Sequence, residues 1–289
     1  MKKILVLNSG SSSLKYQLFN VDGEKYEVLA KGIAERIGLE NSVISIKIGD
    51  GEKVKKMIDM PTHNEAIEAV INLLLDGVIK SMDELSAIGH RVVHGGEKFN
   101  QSVLITDEVI KTVEELSDLA PLHNPANLLG IRAVSRILPN IPQVAVFDTA
   151  FHQTMEKEAY LYPLPIEQYT KHQIRRYGFH GTSHAYVSQE AAKLLGFEGK
   201  IITCHLGNGA SIAAVDHGKC VDTSMGFTPL AGIIMGTRCG DIDPYIPLHI
   251  MKSQNKTLEE VNNMLNKESG MFGICGYSDN RDVEDRYFV

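Results

Sequence analysis

Two short stretches of the chain carry the donors that an anion needs. The first is Asn8-Ser9-Gly10-Ser11-Ser12-Ser13, followed by Lys15. The second is His205-Leu206-Gly207-Asn208-Gly209-Ala210-Ser211. Backbone N–H groups freed by glycine, with hydroxyls and a nearby lysine, can wrap a phosphate. The same residue types also make hairpin loops, so one such stretch leaves both readings open. Two of them, one in each half, favour a nucleotide held by paired domains. Two arginines sit among glycines that let a ligand approach the backbone, Arg91 in "GHRVVHGG" and Arg238 in "MGTRCGD". His180, in "YGFHGTSH", lies just before a helix start, where anions are favoured. Asp148 ends the apolar run "QVAVFD", and α/β sites collect catalytic groups at strand ends. An aspartate capping the turn there is the plainer alternative.

Common motifs do not account for these residues. There is no G-x-x-x-x-G-K-[ST] and no G-x-G-x-x-G opening a helix after a strand. His90 with His94, and His180 with His184, have the i, i+4 spacing of metal ligands, but H-E-x-x-H is missing. Ser11 to Ser13 lie in no G-x-S-x-G elbow, which weighs against an acyl-serine hydrolase.

The elements that must position these groups alternate along the chain. Ile4–Leu7 and Leu14–Phe19 read as strands across the first loop, with a turn at Asp22-Gly23, a third strand after it and a fourth at Val43–Ile48. Helical spacing runs from Ala66 to Ile79. "SAIGHRVVHGGE" is a strand ending at Gly95-Gly96. "APLHNPANLLGIRAVSRILP" is a helix with Asn124 as N-cap, and "QVAVFD" is a buried strand. The pattern restarts after Pro165, with a helix capped by Thr182 or Ser183 and ended by Gly196. Strand, soft loop, strand, a tight turn at His217-Gly218 and a third strand follow. The opening design is thus repeated, and the loops join strand to strand. Alternation of this kind means α/β architecture.

With 289 residues, 43% of them hydrophobic and 22% charged, the chain suits two folded domains. A formal net charge of −7 offers no basic field for nucleic acid or an anionic membrane. The run Ile4–Leu7 is too short for a signal-peptide core, and no later run is long enough to span a bilayer. Cys204, Cys220, Cys239 and Cys275 lack C-x-x-C spacing and read as free thiols of a reducing cytoplasm.

Taken in order, "NSGSSSLKYQLF", "GHRVVHGGE", "VFDTAFH", "YGFHGTSH", "HLGNGASIAAVDHGKCVDTSMGFTPL" and "MGTRCGDIDP" resemble the acetate kinases, with propionate kinases as near relatives. The resemblance covers nearly the whole chain and implies a two-domain α/β fold of the actin and sugar-kinase type (ribonuclease H-like). It implies a first domain at 1–150, with the first phosphate loop and the acetate side, and a second at 151–289, with the second phosphate loop. The implied reaction is reversible transfer of the γ-phosphoryl group of ATP to acetate in a cleft, giving acetyl phosphate and ADP. Arg91 and Arg238 match the guanidinium groups at acetate and the moving phosphoryl, His180 the transition-state stabiliser, and His123 and His205 further active-site histidines. Asp148 matches the family's active-site acid. Acetate is already ionised at neutral pH, so orienting Arg91 or a metal-bound water suits Asp148 better than proton transfer. Val93, Leu122, Phe179 and Pro229 match the apolar methyl pocket. Lys15, Ser11, Ser13, His205, Leu206, Gly207, Asn208 and Gly209 match ATP contacts, with Asp279, Asn280 and Arg281 opening the adenosine site. Asn8 matches a position associated with Mg2+, for which Mn2+ can substitute. A cytoplasmic homodimer is implied as well. Family members continue well past the point matching Val289, which implies a fragment of a longer kinase with low activity by itself. The rival readings are a kinase of propionate or another short-chain acid, and an actin-like module that binds ATP without catalysis.

Overall fold

The computed structural model describes residues 1–121, 123–197 and 199–287, so Leu122 lies outside the described residues. The chain forms two compact units, Met1–Ala150 and Phe151–Val289. Unit 1 opens with an antiparallel meander: β1 (Lys2–Ser9), β2 (Ser13–Asp22), β3 (Lys25–Glu35), β4 (Val43–Ile48) and β5 (Lys53–Met57). Then come α1 (His63–Leu75), β6 (Leu85–Val92), β7 (Val103–Leu104), α2 (Asp107–Glu115), α3 (Asn124–Ile137) and β8 (Gln143–Phe147). The eight strands stand in the order β5-β4-β3-β2-β1-β6-β8-β7. β6 runs parallel to β1, and β8 parallel to β6. Parallel neighbours need a crossover, which α1 and then α2 with α3 provide.

Period-2 patterning sets which face is covered. On β2, Leu14, Tyr16 and Leu18 are buried while Lys15 and Gln17 point the other way. The covered face packs Leu5, Leu7, Ile44 and Ile46 against Ile67, Val70 and Leu74 of α1 and Val134 of α3. α1 begins earlier than its apolar spacing indicates, because Thr62 and Glu65 form a capping box; it also stops earlier, at Leu75, before Asp76-Gly77. β5 escapes a search for alternation: every residue of this edge strand is exposed. Asn124 is not the N-cap of α3. His123 holds that position, without a side-chain cap bond, and Asn124 is the first helical residue.

Unit 2 contains α4 (Lys157–Tyr160), α5 (Glu167–Thr170), α6 (Gly181–Leu195), β9 (Lys200–Leu206), β10 (Ala210–Asp216) and β11 (Lys219–Thr223). α7 (Tyr245–Gln254), α8 (Leu258–Lys267), α9 (Gly270–Cys275) and α10 (Asn280–Tyr287) follow. Its antiparallel sheet has the order β11-β10-β9. The repeated plan is visible: three-residue loops join β1 to β2 and β9 to β10. His217 and Gly218, both at positive φ (47° and 76°), turn β10 into β11. The expected cap of α6 is corrected. Neither Thr182 nor Ser183 serves; His180 occupies the N-cap in the left-handed conformation, φ 59° and ψ 20°. α10 starts at Asn280 and carries the acidic Asp282 in its first turn. All four cysteines are free thiols. Among the described residues no helix is long and apolar enough to cross a membrane.

Candidate active site

In unit 1 the site is built at the ends of three neighbouring strands. Arg91, near the end of β6, donates through Nε to Asp148 Oδ1 and Oδ2 at 3.0 and 3.1 Å, and through Nη2 to Oδ2 at 2.6 Å. Its Nη1 reaches Asn8 Oδ1, on β1, at 3.4 Å. Asp148 follows β8 and is only 2% exposed, its N–H bonded to Val92 O. The Arg91 side chain stays 40% exposed. Burial works against the guanidinium charge, but the Asp148 carboxylate overrides it and raises the Arg91 pKa above its ordinary value. A carboxylate thus holds a partly open cation in one orientation, which is what a clamp for an incoming anion requires.

Two buried asparagines, which the sequence reading did not assign to the site, fix these strand ends. Asn127 Oδ1 accepts from Val93 N (3.0 Å) and its Nδ2 donates to Ser9 O (2.8 Å). Asn124 Oδ1 accepts from His94 N (3.1 Å) and its Nδ2 donates to His94 O (3.0 Å). This is why Asn124 does not cap: its amide is used by the backbone beyond β6. Gly130 completes the seam, since a Cβ there would meet Ser9 Oγ at 2.1 Å. The i, i+3, i+6 spacing of Asn124, Asn127 and Gly130 was the available signal. His123 stands at the start of the same helix, half-buried, and Val93 is only 6% exposed.

Asn8 and Lys15 are direct cross-strand partners. With Val6, Gln17, Lys31 and Lys47 they line an open cavity of about 460 Å³ on the sheet's other face. Ser11 is exposed, and Ser13 O accepts from Gly10 N at 2.7 Å to close the first loop.

In unit 2 the second loop meets a cluster of histidines. His180 and His205 stack with ring centroids 4.1 Å apart. His180 Nδ1 lies 2.8 Å from Ser211 Oγ, and the same oxygen lies 2.8 Å from His184 Nε2. His184 Nδ1 is 2.7 Å from Thr203 Oγ1, and Ser183 Oγ is 2.9 Å from His205 Nδ1, which removes Ser183 from capping. The His180/His184 pair therefore faces a serine hydroxyl. Among the described residues no group of three or more His, Cys, Asp or Glu is arranged to hold a metal ion. Arg238 Nη1 donates to Pro229 O at 3.0 Å. Burial lowers the Arg238 pKa from a value so high that the charge persists. A Cβ on Gly209 would lie 3.2 Å from Arg238 Nη1 and 3.6 Å from His180 Nε2, so only glycine leaves the space between them open. Gly236 N donates to Asn208 O at 3.1 Å and docks the loop.

Phe179 is 2% exposed, whereas Leu206 is 76% exposed. Asp279 accepts from Arg281 Nε (3.0 Å) and Nη2 (2.6 Å), bonds that pull its pKa down to about 2, and Asn280 donates to Glu284.

Residues 3–288 match the profile of the Acetokinase family. The chain belongs to the acetokinase family. It is 62% identical to the acetate kinase of Halothermothrix orenii over 290 residues, covering 98% of this chain and 72% of that protein. It is 58% identical to the acetate kinase of Thermotoga maritima over 291 residues, with the same coverage. Its fold superposes on the crystal structure of Porphyromonas gingivalis acetate kinase with a TM-score of 0.94 and 50% identity, over 99% of this chain and 73% of that one. A propionate kinase from Francisella tularensis gives a TM-score of 0.93 at 46% identity, over 99% and 73%. The architecture is thus the acetokinase fold, α/β and of the actin and sugar-kinase type.

Proposed function

We propose that this acetokinase is an ATP-dependent phosphotransferase acting on acetate, forming acetyl phosphate and ADP reversibly. The observation that carries the reading is the Arg91–Asp148 clamp in a chain 62% identical to a curated acetate kinase. The acetate oxygen forms the new bond to the γ-phosphorus. The bond from that phosphorus to the β,γ-bridging oxygen breaks, and ADP leaves with the electron pair. Little covalent help is needed, so catalysis rests on positioning and on charge compensation at the phosphoryl oxygens.

We assign that compensation to Arg91, Arg238 and His180, with Asp148 orienting Arg91. Unit 1 supplies the acetate-side residues and the first phosphate loop (Ser11, Ser13 and Lys15). Unit 2 supplies the second loop, from His205 through Leu206, Gly207 and Asn208 to Gly209. Asp279, Asn280 and Arg281 begin the adenosine contacts, and His123 assists on the acceptor side. We assign Val93, Leu122, Phe179 and Pro229 to recognition of the acetate methyl, on their match to the family's apolar positions. Mg2+, or Mn2+ in its place, fits the donor set: such an ion keeps waters and is held largely by nucleotide phosphates, so it needs few protein ligands. Asn8 Oδ1 and the Asp148 carboxylate are the oxygens that would hold it, directly or through water. Bound there, it would neutralise charge on the β- and γ-phosphates. Cytoplasmic residence is supported by the four free thiols. Homodimerisation through unit 2 is supported by its exposed Leu194 and Ile202.

A hydroxamate trap for acetyl phosphate tests the assignment. Activity should appear with acetate and Mg-ATP, and Arg91→Ala or Arg238→Ala should each lower kcat by about a hundredfold, the cost of losing one oxyanion donor elsewhere. Near-parental kcat in either folded variant would refute its role.

A further inference from the structure

We propose that Ser211 and His184 are positioning residues for His180. The Ser211 hydroxyl fixes the His180 ring in its Nδ1–H tautomer, and His184 with Thr203 fixes the direction of that hydroxyl. The proposal rests on the reading of His180 as a donor to the phosphoryl group.

The protons of the network in unit 2 set its direction. The far end of the network is the Ala213 carbonyl, which can only accept; the Thr203 hydroxyl donates to it at 3.5 Å. With its proton spent there, Thr203 Oγ1 accepts from the Nδ1–H of His184 at 2.7 Å. His184 is 1% exposed. Burial, with a smaller contribution from His205, lowers its pKa to about 4, so it is neutral at pH 7 and has one N–H only. Its Nε2 is therefore a lone pair, and the Ser211 O–H donates to it at 2.8 Å. The Ser211 oxygen then accepts, and the group facing it at 2.8 Å is Nδ1–H of His180. Every group in the chain of bonds is satisfied in this direction.

The consequence falls on Nε2 of His180. Which nitrogen of an imidazole carries the proton is set by the bond the other nitrogen makes. With Nδ1–H committed to Ser211, protonation of the ring adds a proton at Nε2, the edge that lies 3.6 Å from the Cβ position of Gly209. That is the side of the second loop and of the Arg238 guanidinium. The backbone of His180, held left-handed at φ 59°, and the stacking on His205 restrict the ring further. By accepting from Nδ1–H, Ser211 holds the ring with Nε2 toward that side, so that the protonated ring presents its Nε2–H to a phosphoryl oxygen.

Long-range 1H–15N NMR on histidine-labelled protein reads the tautomer directly. The neutral His180 ring should show Nδ1–H, and a predominant Nε2–H would overturn the proposal. In Ser211→Ala the His180 tautomer should mix. kcat should fall about tenfold while KM for ATP and acetate stays within about twofold, and Ser211→Thr should restore most of kcat. A Ser211→Ala protein with the parental tautomer and kcat would overturn the proposal, as would one with raised KM and unchanged kcat. If Ser211→Ala does not fold, the parental tautomer and the Ser211→Thr rescue decide. If the parental chain makes no acetyl phosphate, the assigned activity fails and the tautomer still judges the network.

Discussion

Replacing Asp148 by asparagine keeps the shape of the side chain and removes its charge. Three close contacts tie Arg91 Nε and Nη2 to the carboxylate, at 3.0, 3.1 and 2.6 Å. An amide offers one oxygen for these donors and turns an NH2 toward the rest, so one bond becomes a donor–donor contact. A hydrogen bond to a charged group contributes about 1.5–3 kcal/mol. Because the Arg91 side chain is 40% exposed, water takes up part of the loss, and about 1–2 kcal/mol of stability is the expected cost. The larger effect is on turnover. An Arg91 no longer held by Asp148 must be ordered by the substrate, and a ten- to hundredfold drop in kcat corresponds to about 1.4–2.7 kcal/mol of transition-state stabilisation. Urea unfolding and the hydroxamate assay measure the two quantities on one preparation. Parental kcat together with parental unfolding free energy in Asp148→Asn would refute the orienting role.

Other outcomes follow from single observations. Gly130→Ala should cost about 1–3 kcal/mol in urea unfolding, because its methyl would overlap Ser9 Oγ; a neutral substitution would mean that the seam between α3 and β1 is loose. Burial holds His90 and His94 neutral, with pKa values lowered to about 4. In the unfolded chain these rings take up protons below about pH 6.5. Their contribution is therefore complete above about pH 6.5 and is lost as pH falls toward 4. The urea midpoint should drop from pH 7 to pH 5, and His94→Gln should reduce that drop; an unchanged slope would contradict it. One added methylene changes pocket discrimination by about 1–3 kcal/mol, so acetate should lead propionate in kcat/KM and butyrate should be poor. Butyrate as the best acceptor would overturn the assignment of Val93, Leu122, Phe179 and Pro229 to the acetate methyl.

Much of the strand framework was legible because period-2 burial leaves a trace. Leu14, Tyr16 and Leu18 against Lys15 and Gln17 mark β2 whether or not its partners are known. β5 left no such trace, since an edge strand exposed on both faces has no pattern to keep. Helix starts were misread where a capping side chain had other work. Asn124 bonds the His94 backbone and Ser183 bonds His205, and long-range partners of that kind cannot be inferred from local propensity. Arg91, Asp148 and His180 stood out by motif. Ser211 was visible only as the end of the second loop and His184 only as half of a metal-spaced pair; their joint role was not legible, because a buried serine between two imidazoles is defined by the fold of β9 and β10 against α6.

The central claim is tested most directly by the fate of oxygen in the reaction. With [18O2]acetate, Mg-ATP and the intact chain, 31P NMR should show acetyl phosphate carrying one 18O on phosphorus, formed in step with ADP. The isotope shift reports the bond made by the attacking carboxylate. Bound ATP without acetyl phosphate, or ADP with free unlabelled phosphate only, would contradict phosphoryl transfer to acetate and favour a nucleotide-binding module of the actin type.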